Sequence, residues 1–247
     1  MKNNNKFRLD VWGAITLGTI ALYALFLLYP MAYLIRQSVL DPDTGSFTLA
    51  YFTKFFSKSY YFDTLINSFK VSITATVLSI AIGTPLAYLF TIFKIKGKSV
   101  LNILIVVASM SAPFIGAYSW ILLLGRSGII TTFFKNLGIA IPDIYGFGGI
   151  VLVMTLQLFP LVFLYAKGAL KNIDNSLIEA AENLGCSGIA CFFKVVVPLI
   201  MPTLLAAALL VFMRSFADFG TPMLIGEGYR TFPVVLYTEF INEVGGS

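Results

Sequence analysis

The chain has 247 residues, of which 58% are hydrophobic and only 12% charged, and its mean hydropathy is +0.87. Soluble domains carry roughly 25% charged residues, so a water-soluble fold is excluded and the membrane class is indicated. The net charge of +5 comes without a single histidine and with only two cysteines. That argues against a histidine base, a transition-metal centre, a zinc ribbon or a disulfide framework.

Apolar runs recur along the whole chain, unlike a signal peptide ahead of a soluble domain. A helix crossing about 30 Å of hydrocarbon needs about 20 apolar residues. Five uncharged stretches meet or approach that length: Val11–Ile35, Val71–Phe93, Val100–Gly125, Ile144–Ala166 and Val195–Met213, the last drawn on as a helix to Ala217. None alternates apolar with polar residues, so these are helices rather than barrel strands. The expected fold is all-α, a polytopic transmembrane helix bundle. Pro85, Pro113, Pro160, Pro202, Gly83 and Gly116 interrupt the spans. Such breaks are either ordinary kinks or part of a bundle that opens and closes around a pathway.

Basic residues set the orientation. Lys2, Lys6 and Arg8 precede the first span, Lys94, Lys96 and Lys98 follow the second, and Lys167, Lys171 and Lys194 lie between the fourth and fifth. These segments are expected in the cytoplasm, with the N-terminus inside. Asp41, Asp43, Asp63, Asp143, Glu227, Glu239 and Glu243 fall on the opposite side, among a few basic residues. Ser57-Lys58-Ser59 reads as an outer polar and aromatic loop. Residues 231–244, with Pro233 in the first turn and Val234, Tyr237, Phe240, Ile241 and Val244 on one side, read as an outer amphipathic helix.

The inner segment 171–198 is the most informative. Asp174 or Ser176 can cap a helix start, and Ser176 with Glu179 fits a capping box. Leu177, Ala181 and Leu184 share one face at helical spacing. Ala180 and Ala181 keep the helix slim, and Gly185 can turn the chain through a left-handed conformation. Ser187 can start a second short helix carrying Ile189, Phe192, Phe193 and Val196. A helix, turn and helix of this kind carries more apolar surface than a solvated loop should.

The segment resembles the EAA loop of binding-protein-dependent ABC permeases, whose pattern is Glu-Ala-Ala-x3-Gly-x9-Ile-x-Leu-Pro. Glu179-Ala180-Ala181, Gly185 and Pro198 fall at the matching places, with Val195 and Val197 for the Ile and Leu. The resemblance implies a MetI-like permease fold whose loop docks into a groove on a cytoplasmic ABC ATPase dimer. Glu179 would then meet the groove rim. Leu177, Ala181 and Leu184 would fill the groove, and Gly185 would set the angle between the helices. The implied partners are that ATPase, a periplasmic or lipid-anchored substrate-binding protein, a second permease half and the lipid bilayer; no nucleic acid or cofactor is implied. The implied location is the bacterial cytoplasmic membrane. Gly97-Lys98-Ser99 is not a P-loop, because Ile92 occupies the place of its first glycine, so ATP hydrolysis falls to another chain.

Ser215-Phe216-Ala217-Asp218-Phe219-Gly220-Thr221-Pro222, followed by Gly226-Glu227-Gly228-Tyr229-Arg230, resembles the ferric-iron branch of that family. Polyamine, phosphonate, thiamine and sulfate importers share the branch. The implied cargo is ferric iron. Arg214 and Asp218, four residues apart, can pair if the helix continues. Gln157 lies at membrane depth, either as interhelical packing or in the pathway. These three are the candidate pathway residues, and no metal ligands are assigned. A family member normally has a sixth span after the outer helix, so truncation is expected. A secondary transporter or channel would carry more intramembrane charge. A membrane enzyme would need a catalytic set, and the chain has neither paired carboxylates nor a Gly-x-Ser-x-Gly elbow.

Overall fold

The computed structural model describes residues 11–41, 44–93, 96–110 and 112–245. Lys2, Lys6, Arg8, Asp43 and Lys94 lie outside the described residues, as do the side chains of Pro113, Phe240, Glu243 and Val244. Among the described residues the fold is all-helical, apart from an isolated antiparallel bridge between Leu40 and Phe47. Among the described residues, five segments are long and apolar enough to cross a membrane: Val11–Val39, Ser59–Ile92, Phe114–Asn136, Phe147–Lys171 and Gly188–Phe216. The chain forms two compact units, residues 1–62 and 63–247.

The first unit holds α1 (Val11–Val39) and α2 (Ala50–Ser57). No described residue of α1 is buried within the protein. A helix that is apolar on all sides and unburied is matched to hydrocarbon as its solvent. Its turn at Ala24–Leu28 is widened to π-helix, with the Tyr29 N–H bonded to the Ala24 carbonyl. Pro30 supplies the cause, since its ring displaces the carbonyl four residues back and it has no N–H to bond.

The second unit is built around α7 (Phe147–Lys171), half of whose most apolar stretch is buried. Packed on it are α9 (Gly188–Phe216), α4 (Lys98–Ser109), α5 (Pro113–Leu124) and α10 (Gly220–Ile225). Helix α3 (Ser59–Ile92) crosses α7 at Gly83, where a Cβ would lie 2.8 Å from Val162 Cβ and 2.9 Å from the Phe159 carbonyl oxygen. Apolar attraction between helices vanishes in lipid, so contact depends on backbones approaching closely. Accordingly α3 buries small residues: Ser68, Ser72, Ala75, Ser79, Gly83 and Ala87. The core has two levels. Ala87, Phe90, Phe163, Ala166, Phe192 and Val196 meet at one end, and Val71, Ala75, Ile144, Ile150, Met154 and Ile225 at the other. Helices α6 (Ile129–Asn136), α8 (Asn175–Asn183) and α11 (Phe232–Gly245) complete the described chain.

Three elements differ from the sequence expectation. The predicted span 100–125 is two helices, α4 and α5, because Pro113 cannot continue a helix through its own N–H and instead starts α5. The expected outer loop at Ser57–Ser59 ends α2 and starts α3, whose 34 residues extend about 50 Å and so outrun the hydrocarbon. Finally, no separate second helix follows Ser187. Residues 188–191 run through a π-helical turn, Phe192–Val196, directly into the last span. The Val197 N–H bonds the Phe192 carbonyl, five residues back, immediately before Pro198.

Candidate functional site

The connector between α7 and α9 starts with a cap. Asp174 Oδ1 accepts the Ser176 N–H at 3.0 Å, and the Asp174 carbonyl accepts the Leu177 N–H at 3.1 Å. Asp174 is therefore the N-cap of α8, and Ser176 lies inside the helix rather than at the head of a capping box with Glu179. The same N–H bond to its carboxylate holds Asp174 below the usual carboxyl range. Helix α8 ends at Asn183, and Gly185 takes φ +85°. The Leu184 N–H bonds the Ala180 carbonyl at 3.1 Å, and the Cys186 N–H bonds the Ala181 carbonyl at 3.0 Å. This closes the helix in the left-handed manner that glycine favours. No atom comes within 4 Å of a Cβ built on Gly185, so its requirement is conformational, not steric.

The connector's inward and outward faces are distinct. Ile178 packs against the core level formed by Phe163, Ala166 and Phe192. Glu179 and Ala180 are exposed, and Ala181 is half-buried. Leu177 is 49% exposed, Leu184 89%, Ile189 79% and Phe193 64%. These four large apolar side chains are exposed within one connector, and exposed apolar groups gathered in this way mark interaction sites. The sequence pattern marks all four, Leu177 and Leu184 on the first helix and Ile189 and Phe193 after Ser187; of the other two apolar residues expected with the latter pair, Phe192 and Val196 are buried instead. Pro198 sits in the first turn of α-helix after that π segment.

At the other end, Gln157, Arg214 and Asp218 line one half-open cavity of about 480 Å³, with Ser109, Phe114 and Phe219. The structure brings these three residues together but does not pair Arg214 with Asp218. The helix ends at Phe216, and Asp218 Oδ1 instead accepts the Gly220 N–H at 2.9 Å and the Thr221 N–H at 3.4 Å, capping α10. Burial pushes the Asp218 carboxyl up from its ordinary value of 3.8, and these hydrogen bonds oppose the shift. The Gln157 amide nitrogen is buried and has no hydrogen-bond partner among the described residues. An orphaned donor beside a cavity calls for an explanation beyond packing.

A third cluster escaped sequence reasoning. Arg126, in the turn between α5 and α6, reaches Asp143 at 3.1 Å and Glu227 at 3.0 Å, and lies 4.7 Å from the Tyr145 ring centroid. Its acidic partners are 17 and 101 residues away, so no local spacing signals the contact.

The profile of the binding-protein-dependent transport system inner membrane component family matches residues 46–244. The chain is 28% identical to the ferric transport system permease protein FbpB of Actinobacillus pleuropneumoniae over 240 residues, which is 96% of this chain and 34% of that protein. It thus spans about a third of that relative's length. It is 29% identical to the spermidine/putrescine transport system permease protein PotB of Haemophilus influenzae, covering 96% of this chain and 85% of that one. A crystal structure of a bacterial ABC transporter involved in the import of the acidic polysaccharide alginate matches with a TM-score of 0.70 at 16% identity, covering 95% of this chain and 84% of the other. At that identity the likeness concerns the fold. Taken with the five apolar helices, the profile match over most of the chain makes it a multi-pass membrane protein of the binding-protein-dependent transport system inner membrane component family.

Proposed function

We propose that the chain is the membrane-spanning permease of an ABC importer that receives its cargo from a binding protein. The observation that carries this is the connector 171–198. It is a capped helix with a left-handed glycine turn and an exposed apolar surface, held between two candidate spans of a family permease. On this reading the connector is cytoplasmic, as is the N-terminus. Leu177, Ala181 and Leu184 enter the groove of a separate ATPase, with Glu179 at its rim. ATP-driven closure of an ATPase dimer moves α8 as a lever. Because α9 runs unbroken from the connector into the bilayer, displacement at Ile189 and Phe193 is transmitted to the far end, where Gln157, Arg214 and Asp218 line the pathway. A rigid element with two stable positions is the physical requirement. A second permease half completes the pathway, and a periplasmic or lipid-anchored binding protein delivers cargo to it.

The proposed cargo is ferric iron, supported by the segment 215–222 and the FbpB relative. A polyamine is the second reading, supported by a PotB relative that the chain matches over 85% of its length. The test is ATP-dependent uptake into vesicles that hold the chain with its ATPase and binding protein, with ferric iron and spermidine compared side by side. Glu179→Lys and Gly185→Asp should abolish ATPase binding and uptake. Binding unchanged by both substitutions would overturn the coupling role, and uptake driven by an ion gradient without ATP would replace the importer with a secondary transporter. Orientation is read from Cys186, which is half-buried, whereas Cys191 is buried. Labelling of Cys186 by an impermeant thiol reagent in intact cells would reverse the assigned sidedness.

A further inference from the structure

The lysines that serve the orientation argument are not scattered. Lys98 opens α4, Lys167 lies in the last turns of α7, and Lys171 ends it, yet all three line one cavity of about 390 Å³ with Thr91, Ser99 and Asn102. That volume lies within the ~300–1,000 Å³ of small-molecule sites. None of the lining residues described is acidic, and among the described residues none of the three lysines is in an ion pair. Lys167 is held in place: its Nζ donates to Asn102 Oδ1 and lies 5.4 Å from the Phe163 ring centroid. The Asn102 amide NH2 remains as a neutral donor, and Ser99 adds a hydroxyl. Three like charges converging on a concave wall repel one another, and an anion between them relieves that repulsion. The Lys98-Ser99 pair, which cannot form a nucleotide-binding loop, acquires a use here.

We propose that this cavity binds a phosphate group carried by the headgroup of an anionic phospholipid. The phosphate oxygens accept from Lys98, Lys167 and Lys171, with Asn102 and Ser99 as further donors. The lipid source follows from what lies beside the cavity. Ile92 is 48% exposed, Phe93 56%, Val100 61% and Leu104 58%, and each lies within two residues of one that lines the cavity. They offer an acyl chain an apolar wall next to a basic pocket between membrane helices. This inference requires only that the chain spans a bilayer; it does not depend on the transport reading.

The chain, purified in zwitterionic detergent, would be titrated with short-chain phosphatidylglycerol, with short-chain phosphatidylcholine and with inorganic phosphate, and bound lipid counted by native mass spectrometry. Phosphatidylglycerol should bind in preference to phosphatidylcholine. Lys167→Gln and Asn102→Leu should each weaken it, the former about tenfold, the loss expected for one charge-assisted hydrogen bond. Lys194→Gln removes the same charge from the same end of the bundle but does not line the cavity, and should leave affinity within about twofold. Should Lys167→Gln fail to fold, Lys98→Gln and Lys171→Gln carry the test, since Lys171 is exposed and Lys98 is only half-buried. Equal weakening by Lys194→Gln would mean general surface attraction and overturn the site. Equal binding of the two lipids would overturn it too. Saturation by inorganic phosphate with no phosphatidylglycerol preference would overturn the lipid source.

Discussion

Gly185 separates conformational from steric causes. Its φ of +85° is in the left-handed region, and a Cβ there would meet nothing within 4 Å. Placing an ordinary L-residue in that region costs about 1–2 kcal/mol, equivalent to a factor of about 5–30 in the population of the turn. Asparagine tolerates the conformation better than alanine. Tolerance should therefore run Gly185, then Gly185→Asn, then Gly185→Ala, then Gly185→Val, although asparagine is larger than alanine. Two assays read this. Hydrogen exchange at the Cys186 amide, bonded to the Ala181 carbonyl at 3.0 Å, should accelerate about 5–30-fold in Gly185→Ala. Affinity for the partner ATPase should fall in the same order. A ranking by side-chain volume, with Gly185→Ala milder than Gly185→Asn, would refute the conformational argument and point to a steric contact instead.

Gly83 presents the opposite case. Gly83→Ala puts a Cβ 2.8 Å from Val162 Cβ and 2.9 Å from a backbone oxygen, so it should cost about 1–3 kcal/mol through overpacking. Gly168→Ala, on the partner helix with nothing within 4 Å, should be neutral or gain up to about 1 kcal/mol from helix propensity. Melting temperatures in detergent compare the two, and a Gly83→Ala chain as stable as the parent would contradict the close crossing. Pro198→Ala restores an N–H and should let the π turn at Phe192–Val196 relax to α-helix. That rotates the preceding residues by about 100° and brings Cys191, now 1% exposed, into reach of thiol reagents; an unreactive Cys191 would count against proline as the cause. Asp218→Ala removes the acceptor for two N–H groups and should cost about 1 kcal/mol, whereas Asp218→Asn keeps it. Because burial raises the Asp218 carboxyl above its ordinary 3.8, its stabilising contribution is full below that value and is lost as pH rises through the raised one. Asp218→Asn should flatten that part of the profile of melting temperature against pH.

Much of the fold was legible because lipid imposes a one-dimensional rule: every backbone polar group must be satisfied within its own helix, so each span announces itself as an unbroken apolar run. Length and hydropathy thus anticipated five apolar spans, although the third candidate runs Phe114–Asn136 and not 100–125, and the residues of the connector were equally local. Asp174 caps its own helix, Gly185 turns its own segment, and Leu177 and Leu184 repeat at the helical period. Even the departures at Pro113 and Pro198 have local causes, since proline acts on the carbonyl one turn before it; what the sequence did not reveal was that the chain would break at one and widen at the other.

Contacts between distant parts of the chain belong to the tertiary structure alone. Arg126 meets Asp143 and Glu227, Lys98 converges with Lys167 and Lys171, and Gly83 touches the backbone of Phe159 because helices pack side by side, at distances unrelated to residue number. Arg214 and Asp218 make the same point in reverse. Four residues apart, they would pair on a continuing helix, but the helix stops at Phe216 and Asp218 turns to hold the next one. Sequence determines what is decided within a few residues of backbone; charge, crossing and cavity are decided where separate helices meet.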